Sequence, residues 1–257
     1  MTRLTGKTVL VTGGTTGIGL AVAEQALHEG ARAAVITGRD CERGQEAARS
    51  LGDRACYVQQ DVTDEAQWDA VMDTITERLG HLDVLVNNAG SLGDRDVQDL
   101  ESVSLDEWRQ IAAVNVEGTF LGCRAGVRSM KGNGGGAIVN MSSTAGMLGT
   151  PAFVAYGAAK AAIAHLTKSV ALHCARRGYG IRCNCVHPAI IDTSMRDDLI
   201  RLYGGDLDAA RATYLSRVPM GRFGTPAEIA SVVVHLASDD SSYCTGAGVV
   251  VGGGLGV

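Results

Sequence analysis

The sequence predicts a doubly wound α/β fold, a parallel sheet of about seven strands with helices on both faces. Seven short apolar, mostly β-branched runs recur along the chain, and segments with apolar residues at three- and four-residue spacing lie between them. The runs are apolar almost throughout instead of alternating, as strands covered on both faces are. Strand and helix in alternation build right-handed βαβ units and hence a parallel sheet. The 257 residues, 46% of them hydrophobic, suffice for a sizeable core. No repeat, low-complexity tract or Pro/Ser-rich linker divides them, so residues 1–257 are expected to form a single domain.

The first run, KTVLVTG, passes into GGTTGIG and then a helix beginning near Ile18. Gly13, Gly17 and Gly19 stand where a tight turn lets the backbone approach a pyrophosphate, with the positive end of the helix behind it. The spacing is Gly-xxx-Gly-x-Gly, not GxGxxG, but strand before and helix after are what a Rossmann-type site requires. The second run, AAVITG, ends at Gly38 and Arg39. An acidic residue near this position would meet a ribose 2′-hydroxyl, whereas arginine pairs with a 2′-phosphate. NADP(H) is therefore favoured, with NAD(H) possible if Arg39 is only a solvated charge and Asp40 reaches the ribose. The third run, ACYVQQDV, closes with Asp61 and Val62, which would flank the adenine. EAQWDAVMDTITERLG reads as an amphipathic helix, LDVLVNNAG as the fourth strand, and SLDEWRQIAAVNVEGTFLGCRAGVRSM as a long helix. Trp68 and Trp108 fall in these helical patterns and read as packing anchors. GAIVNMSS and IRCNCVHP supply the fifth and sixth strands and GAGVVVGGG the last. Residues 189–224 break the βα rhythm and read as an inserted lid, where Met195, Leu199, Leu202, Tyr203 and Tyr214 suit an apolar pocket.

Charge excludes some functions. With 23 Lys+Arg against 28 Asp+Glu, net −5, and no basic run, a nucleic-acid partner lacks its electrostatic footprint. No stretch offers about 18 consecutive apolar residues, so no membrane span is expected. The apolar run near the N-terminus is too short for a signal-peptide core, and the seven cysteines show no CxxC spacing; reduced thiols and a cytoplasmic location are expected. Strand alternation puts Cys183 and Cys185 on one face, where core packing is the plainer account and metal or redox work the other. The six histidines show no ligand spacing, and no metal site is expected.

Tyr156 and Lys160 stand one helical turn apart in AYGAAKAAIAHL, a spacing that ordinary helix neighbours also have. The segment Thr12-Gly13-Gly14-Thr15-Thr16-Gly17-Ile18-Gly19, Asp61, Asn87-Asn88-Ala89-Gly90, Asn115, Ser143, Tyr156 with Lys160, and Pro188 with Thr193 give the pair its context. Together they resemble the short-chain dehydrogenase/reductase family along almost the whole chain. The resemblance implies a catalytic set of Asn115, Ser143, Tyr156 and Lys160. It also implies a cofactor site of the glycine segment (Gly13, Thr15, Thr16, Gly17, Ile18, Gly19), Gly38, Arg39, Asp61, Val62, Asn88, Ala89, Gly90, Tyr156, Lys160, Pro188, Ile191 and Thr193. Asn88 and Gly90 would meet the adenosine half; Ile190 or Ile191 backbone and Thr193 would seat the carboxamide. Ala189 stands where the family commonly has glycine.

The chemistry suits these residues. A ketone gaining hydride needs a proton, which a phenol can supply; a neighbouring ammonium favours the phenolate and should make Tyr156 more acidic. Ser143 could donate to the carbonyl oxygen, with Ser142 the rival on the residues alone and the family spacing selecting Ser143. In the family the asparagine holds a water in a proton relay, here Asn115 with Lys160. The stretch ALHCARRGYGIRCNCVHP and the glycine-rich tail resemble hydroxysteroid and cyclic-alcohol dehydrogenases, implying a secondary alcohol or ketone of cyclic or steroid-like form. A 3-oxoacyl-carrier reductase is the alternative, with Arg124, Arg128 and Lys131 as candidates to meet an acidic carrier. A catalytically silent nucleotide sensor is another. The family also implies a homotetramer.

Overall fold

The computed structural model describes residues 2–93, 98–201 and 207–255, without the side chains at 195, 197, 199, 201 and 207. Seven strands, β1 (Thr8–Thr12), β2 (Ala33–Gly38), β3 (Ala55–Gln59), β4 (Val84–Asn87), β5 (Gly136–Met141), β6 (Ile181–Pro188) and β7 (Gly248–Val251), pair in parallel in the order β3-β2-β1-β4-β5-β6-β7. Each falls within one of the seven runs expected from the sequence. The order reverses between β1 and β4, and a crevice opens at the carboxyl ends of strands where it does.

The continuous apolar runs serve two cores. Val9 and Val11 pack on one face with Val22 and Ala26 of α1 (Gly17–His28) and Val233 of α9 (Pro226–Ala237). Leu10, one residue out of step, packs on the other with Trp68 and Ile75 of α3 (Glu65–Leu79), Cys123 of α5 (Gly118–Met130) and Cys174 of α6 (Val154–Arg176). Both faces of the sheet are covered, which is why the strands show no polar alternation. Trp68 is an anchor as expected: its ring is buried and its Nε1–H donates to the Val62 carbonyl at 2.9 Å. Trp108 is not, with 40% of its surface exposed on α4 (Leu105–Ala112).

The long helix expected across 104–130 is interrupted. Between α4 and α5, residues Ala113–Glu117 form a π-helical turn, and Asn115 lies inside it. Such a turn inserts one extra residue into a helix and recurs at functional sites. Two further helices were not evident in the sequence pattern, α2 (Cys41–Leu51) and α9. The region after β6 holds α7 (Ser194–Arg201) and α8 (Leu207–Leu215). Of the apolar residues expected to line a pocket there, Leu202 and Tyr203 and the side chains of Met195 and Leu199 lie outside the described residues, while Tyr214 is buried. Among the described residues no helix is long and apolar enough to cross a membrane, and no three His, Cys, Asp or Glu side chains are grouped to hold a metal.

Candidate active site

A cleft of about 610 Å³ lies at the carboxyl ends of the strands, from the end of β2 to the start of α7. Its floor begins with the glycine turn after β1. Gly13 (φ 61°) and Gly17 (φ 55°) take the left-handed conformation that only glycine adopts without strain. Gly13, Thr15, Thr16, Gly17 and Ile18 all line the cleft. Thr16 enters α1 with extended backbone and no side chain caps the helix, so its first N–H groups are offered to a ligand. The free N–H groups at the start of the helix and the glycines at Gly13 and Gly17, which let the backbone come close, fit a pyrophosphate. Gly19 lies in the first turn of α1, outside the lining, and a Cβ there would collide with the Gly13 carbonyl and the Asn88 amide. Its smallness serves close packing of helix on turn.

The loop after β4 is tied to that turn. Asn88 Nδ2 donates to the Thr12 and Gly13 carbonyls at 3.0 Å each, and Thr12 Oγ1 accepts from the backbone N–H groups of Asn88 and Ala89 at 3.0 and 3.1 Å. Asn88, Ala89 and Gly90 line the cleft beside it.

At the outer end, Gly38, Arg39, Asp61 and Val62 all line the cleft. A Cβ on Gly38 would stand 2.9 Å from the Thr15 methyl, so glycine here makes room for Thr15 as well as removing a carboxylate. The Asp61 carboxylate is held below its ordinary range, first by the Thr63 backbone N–H and also by the Thr63 hydroxyl and the Arg39 charge, against the effect of burial. Sequence reasoning passed over Arg43. It sits in the first turn of α2 and lines the cleft, its backbone N–H donating to the capping Asp40 carboxylate at 3.1 Å and its Nε 3.8 Å from Asp40 Oδ2. The signal was a second arginine four residues beyond the first, in a segment whose helical character was unrecognised.

At the inner end, β5 and α6 bring Ser143, Tyr156 and Lys160 together, and all three line the cleft. The Ser143 hydroxyl faces the Tyr156 phenol and favours its ionised form, against the larger effect of burial. Ser143 Oγ also donates to the Pro188 carbonyl at 3.3 Å and accepts from Ala145 N–H at 3.1 Å. Ser142 is otherwise engaged, its hydroxyl donating to the Lys160 backbone carbonyl at 2.8 Å and tying β5 to α6. Beneath Ser143, His187 places Nδ1 3.3 Å from the serine carbonyl oxygen, and burial lowers its pKa.

The expected acidity of Tyr156 is not seen in the protein alone. Burial pushes its phenol up to about 12, with the Ser143 hydroxyl acting the other way. Lys160 is buried too, which lowers its ammonium to about 8. Its Nζ stands 5.3 Å from the centroid of the tyrosine ring and donates to the Met141 carbonyl at 3.0 Å, over the face of the ring. Asn115 stands behind the lining. Its Nδ2 donates to the Ser91 and Ile111 carbonyls at 2.8 and 2.9 Å, and its buried Oδ1 has no protein partner. A Cβ on Gly90 would lie 2.9 Å from that oxygen and 3.3 Å from Lys160 Nζ, so both polar atoms converge on the space that Gly90 leaves.

At the end of β6 and beyond it, Pro188, Ala189, Ile191 and Thr193 line the cleft, whereas the Ile190 side chain packs with Ile200 of α7, Ala210 and Tyr214 of α8, and Val218. Arg124, Arg128 and Lys131 are absent from the lining. Arg124 pairs with Glu65, and Arg128 and Lys131 lie at the end of α5 that leads into the start of β5, the edge of the sheet opposite the cleft.

Comparison with known proteins agrees with this geometry. Residues 13–256 match the family described as enoyl-(acyl carrier protein) reductase. The chain is 44% identical to the NADP-dependent (R)-specific alcohol dehydrogenase of Lentilactobacillus kefiri, covering 98% of this chain and 97% of that one. It is 42% identical to the 3-alpha-(or 20-beta)-hydroxysteroid dehydrogenase of Mycobacterium bovis, covering 98% and 90%. The crystal structure of levodione reductase superposes with a TM-score of 0.92 at 32% identity, covering 98% of both chains. The chain therefore belongs to the short-chain dehydrogenase/reductase family and is an NAD(P)-dependent oxidoreductase acting on CH–OH groups.

Proposed function

We propose that the chain interconverts secondary alcohols and ketones with NADP(H) as the preferred coenzyme, on hydrophobic substrates of cyclic or steroid-like form. The observation that carries the reading is the convergence of Ser143, Tyr156 and the buried Lys160 at one end of a cleft that has a glycine turn at its other end. When bound, the nicotinamide coenzyme supplies or takes up hydride. In the reducing direction Tyr156 gives its phenolic proton to the carbonyl oxygen, and Ser143 donates to the same oxygen as charge develops there. A phenol held at about 12 keeps its proton until that moment. Lys160, still protonated at neutral pH, stabilises the phenolate left behind. Asn115 Oδ1 accepts from a water that returns the proton from solvent through Lys160.

Coenzyme preference rests on the outer end, where Arg39 and Arg43 give a 2′-phosphate two guanidinium partners. The hydroxysteroid dehydrogenase relative supports the substrate class, and the alcohol dehydrogenase relative supports the coenzyme. An acyl-carrier substrate finds no support in Arg124, Arg128 and Lys131, which lie away from the cleft. We take residues 1–257 as one domain and the assembly as a homotetramer; Leu105, Trp108 and Phe120 expose apolar surface on α4 and α5 that such packing would cover, and a solution mass decides it. The test of function is spectrophotometric oxidation of NADPH and NADH across cyclic, steroidal, acyl-thioester and aliphatic ketones. Turnover of a cyclic or steroidal class with NADPH is expected, and turnover of acyl-thioesters alone would replace the reading with the carrier reductase.

A further inference from the structure

Residues 189–192, which join β6 to α7, are hydrogen-bonded from several sides. Ala189 N–H donates to the Val251 carbonyl at 3.1 Å, Gly224 N–H to the Ile190 carbonyl at 3.3 Å, and Asp192 N–H to the Gly224 carbonyl at 2.8 Å. Those partners belong to β7 and to the loop before α9. One bond has another origin: Ile190 N–H donates at 3.1 Å to the phenolic oxygen of Tyr214, which is carried by the lid helix α8. Tyr214 is buried and stacks on Phe223 with ring centroids 5.9 Å apart. The guanidinium carbons of Arg196, on α7, and Arg211, on α8, stand 5.7 and 5.2 Å from the centroid of that same Phe223 ring. The lid helices and the loop before α9 thus share one aromatic cluster, and Tyr214 is the member that bonds to the cleft wall.

The geometry of one peptide unit gives this bond its consequence. The Ala189–Ile190 peptide is trans and planar, so an Ile190 N–H directed at Tyr214 turns the Ala189 carbonyl the opposite way. Ala189 lines the cleft between Pro188 and Ile191, and Ile190 does not. A cavity of about 110 Å³ bounded by Tyr214, Ile190, Val218 and Gly252 lies beside the bond.

We infer that Tyr214 is a positioning residue for the nicotinamide end of the coenzyme, fixing the Ala189–Ile190 peptide and coupling the lid helix to the wall of the seat. This rests on the reading of the cleft as an NADP(H) site. Tyr214→Phe keeps the ring and its stack and removes only the acceptor, leaving a buried N–H without a partner in the seated conformation.

The experiment compares two ligands by calorimetry on wild type and Tyr214→Phe, with thermal unfolding measured alongside. NADPH spans the whole cleft; adenosine 2′,5′-bisphosphate carries the adenine, ribose and 2′-phosphate but no nicotinamide. The expected result is a Kd for NADPH raised roughly tenfold, a Kd for the bisphosphate changed by less than about twofold, and a Tm lowered by only a few degrees, as loss of one buried hydrogen bond does. If the two ligands weaken together, or neither weakens, the positioning role is overturned while the coenzyme reading stands. A wild-type protein that binds neither would overturn that reading and the inference with it.

Discussion

At the outer end of the cleft Arg39, Asp40 and Arg43 stand in solvent, whereas at the inner end only 4% of Lys160 and 7% of Tyr156 is exposed. The outer charges keep their hydration and can be re-paired at little cost; Arg43 already leans on Asp40. The inner groups are shifted by the same cause in opposite senses, since burial disfavours the ammonium of Lys160 and the phenolate of Tyr156 alike. The lesson is a division of labour. On the proposed mechanism, solvated charge selects which coenzyme enters, and a buried pair, in which burial makes the ammonium easier and the phenol harder to deprotonate, carries the proton transfer.

The comparison is broken most severely from inside. Tyr156→Phe should lower turnover roughly 10²- to 10⁴-fold, the range for a positioned general acid, with coenzyme Kd nearly unchanged. Turnover within a few-fold of wild type would remove the phenol from the mechanism. From outside, Arg39→Ala and Arg43→Ala should each raise the KM for NADPH roughly 10-fold or more and leave that for NADH alone, as loss of a charged hydrogen bond does. Equal changes for both coenzymes would refute a 2′-phosphate seat. Salt sharpens the contrast: raising ionic strength should shrink the preference for NADPH over NADH, because exposed charges are screened, while the step at Tyr156 is little affected.

The smallest effect is on stability. Folded Lys160 loses its proton near about 8, whereas an unfolded lysine keeps it to about 10.4, so between those values the unfolded chain binds more protons and wild-type stability rises with pH. Below pH 8 the cost of the buried ammonium is present in full. Lys160→Met should therefore stabilise the fold by about 1–2 kcal/mol at neutral pH, net of the hydrogen bond lost to Met141, and the gain should fade as pH climbs from about 8 towards 10. Denaturant titrations across that range check the sign. A gain constant with pH would place the benefit in packing, not in relief of desolvation.

All seven strands were legible because each is an apolar run bounded by turn residues, and the residues that the family resemblance implied for the site, apart from Gly19 and Asn115, line one cleft. What escaped notice lacked a periodic signal. In α2, CERGQEAARSL, only Gly44 and Ala47 are buried, so no apolar stripe marks the helix or places Arg43 on the cleft. In α9, PAEIASVVVHLA, apolar residues cover most of the surface and blur the amphipathic period, although Thr225 and Glu228 form a capping box at its start. The raised acidity constant of Tyr156 was unreadable because spacing gives the distance between side chains along a helix and says nothing of how dry they are.

The turn at Ala113–Glu117 has a further consequence for how this chain tolerates change. One surplus residue in a helix of 3.6 residues per turn throws the segments on either side out of phase by roughly 100°. Ile111 before the turn and Cys123 after it are both buried, in separate apolar clusters on either side of that offset. Deleting Val114 would leave an unbroken helix of good propensity, yet it would rotate the Ile111 face away from its neighbours or swing Asn115 off Ser91. A shortening that looks harmless by local preference would thus misphase one end of the helix, and the surplus residue is held in place by the two environments it brings into step.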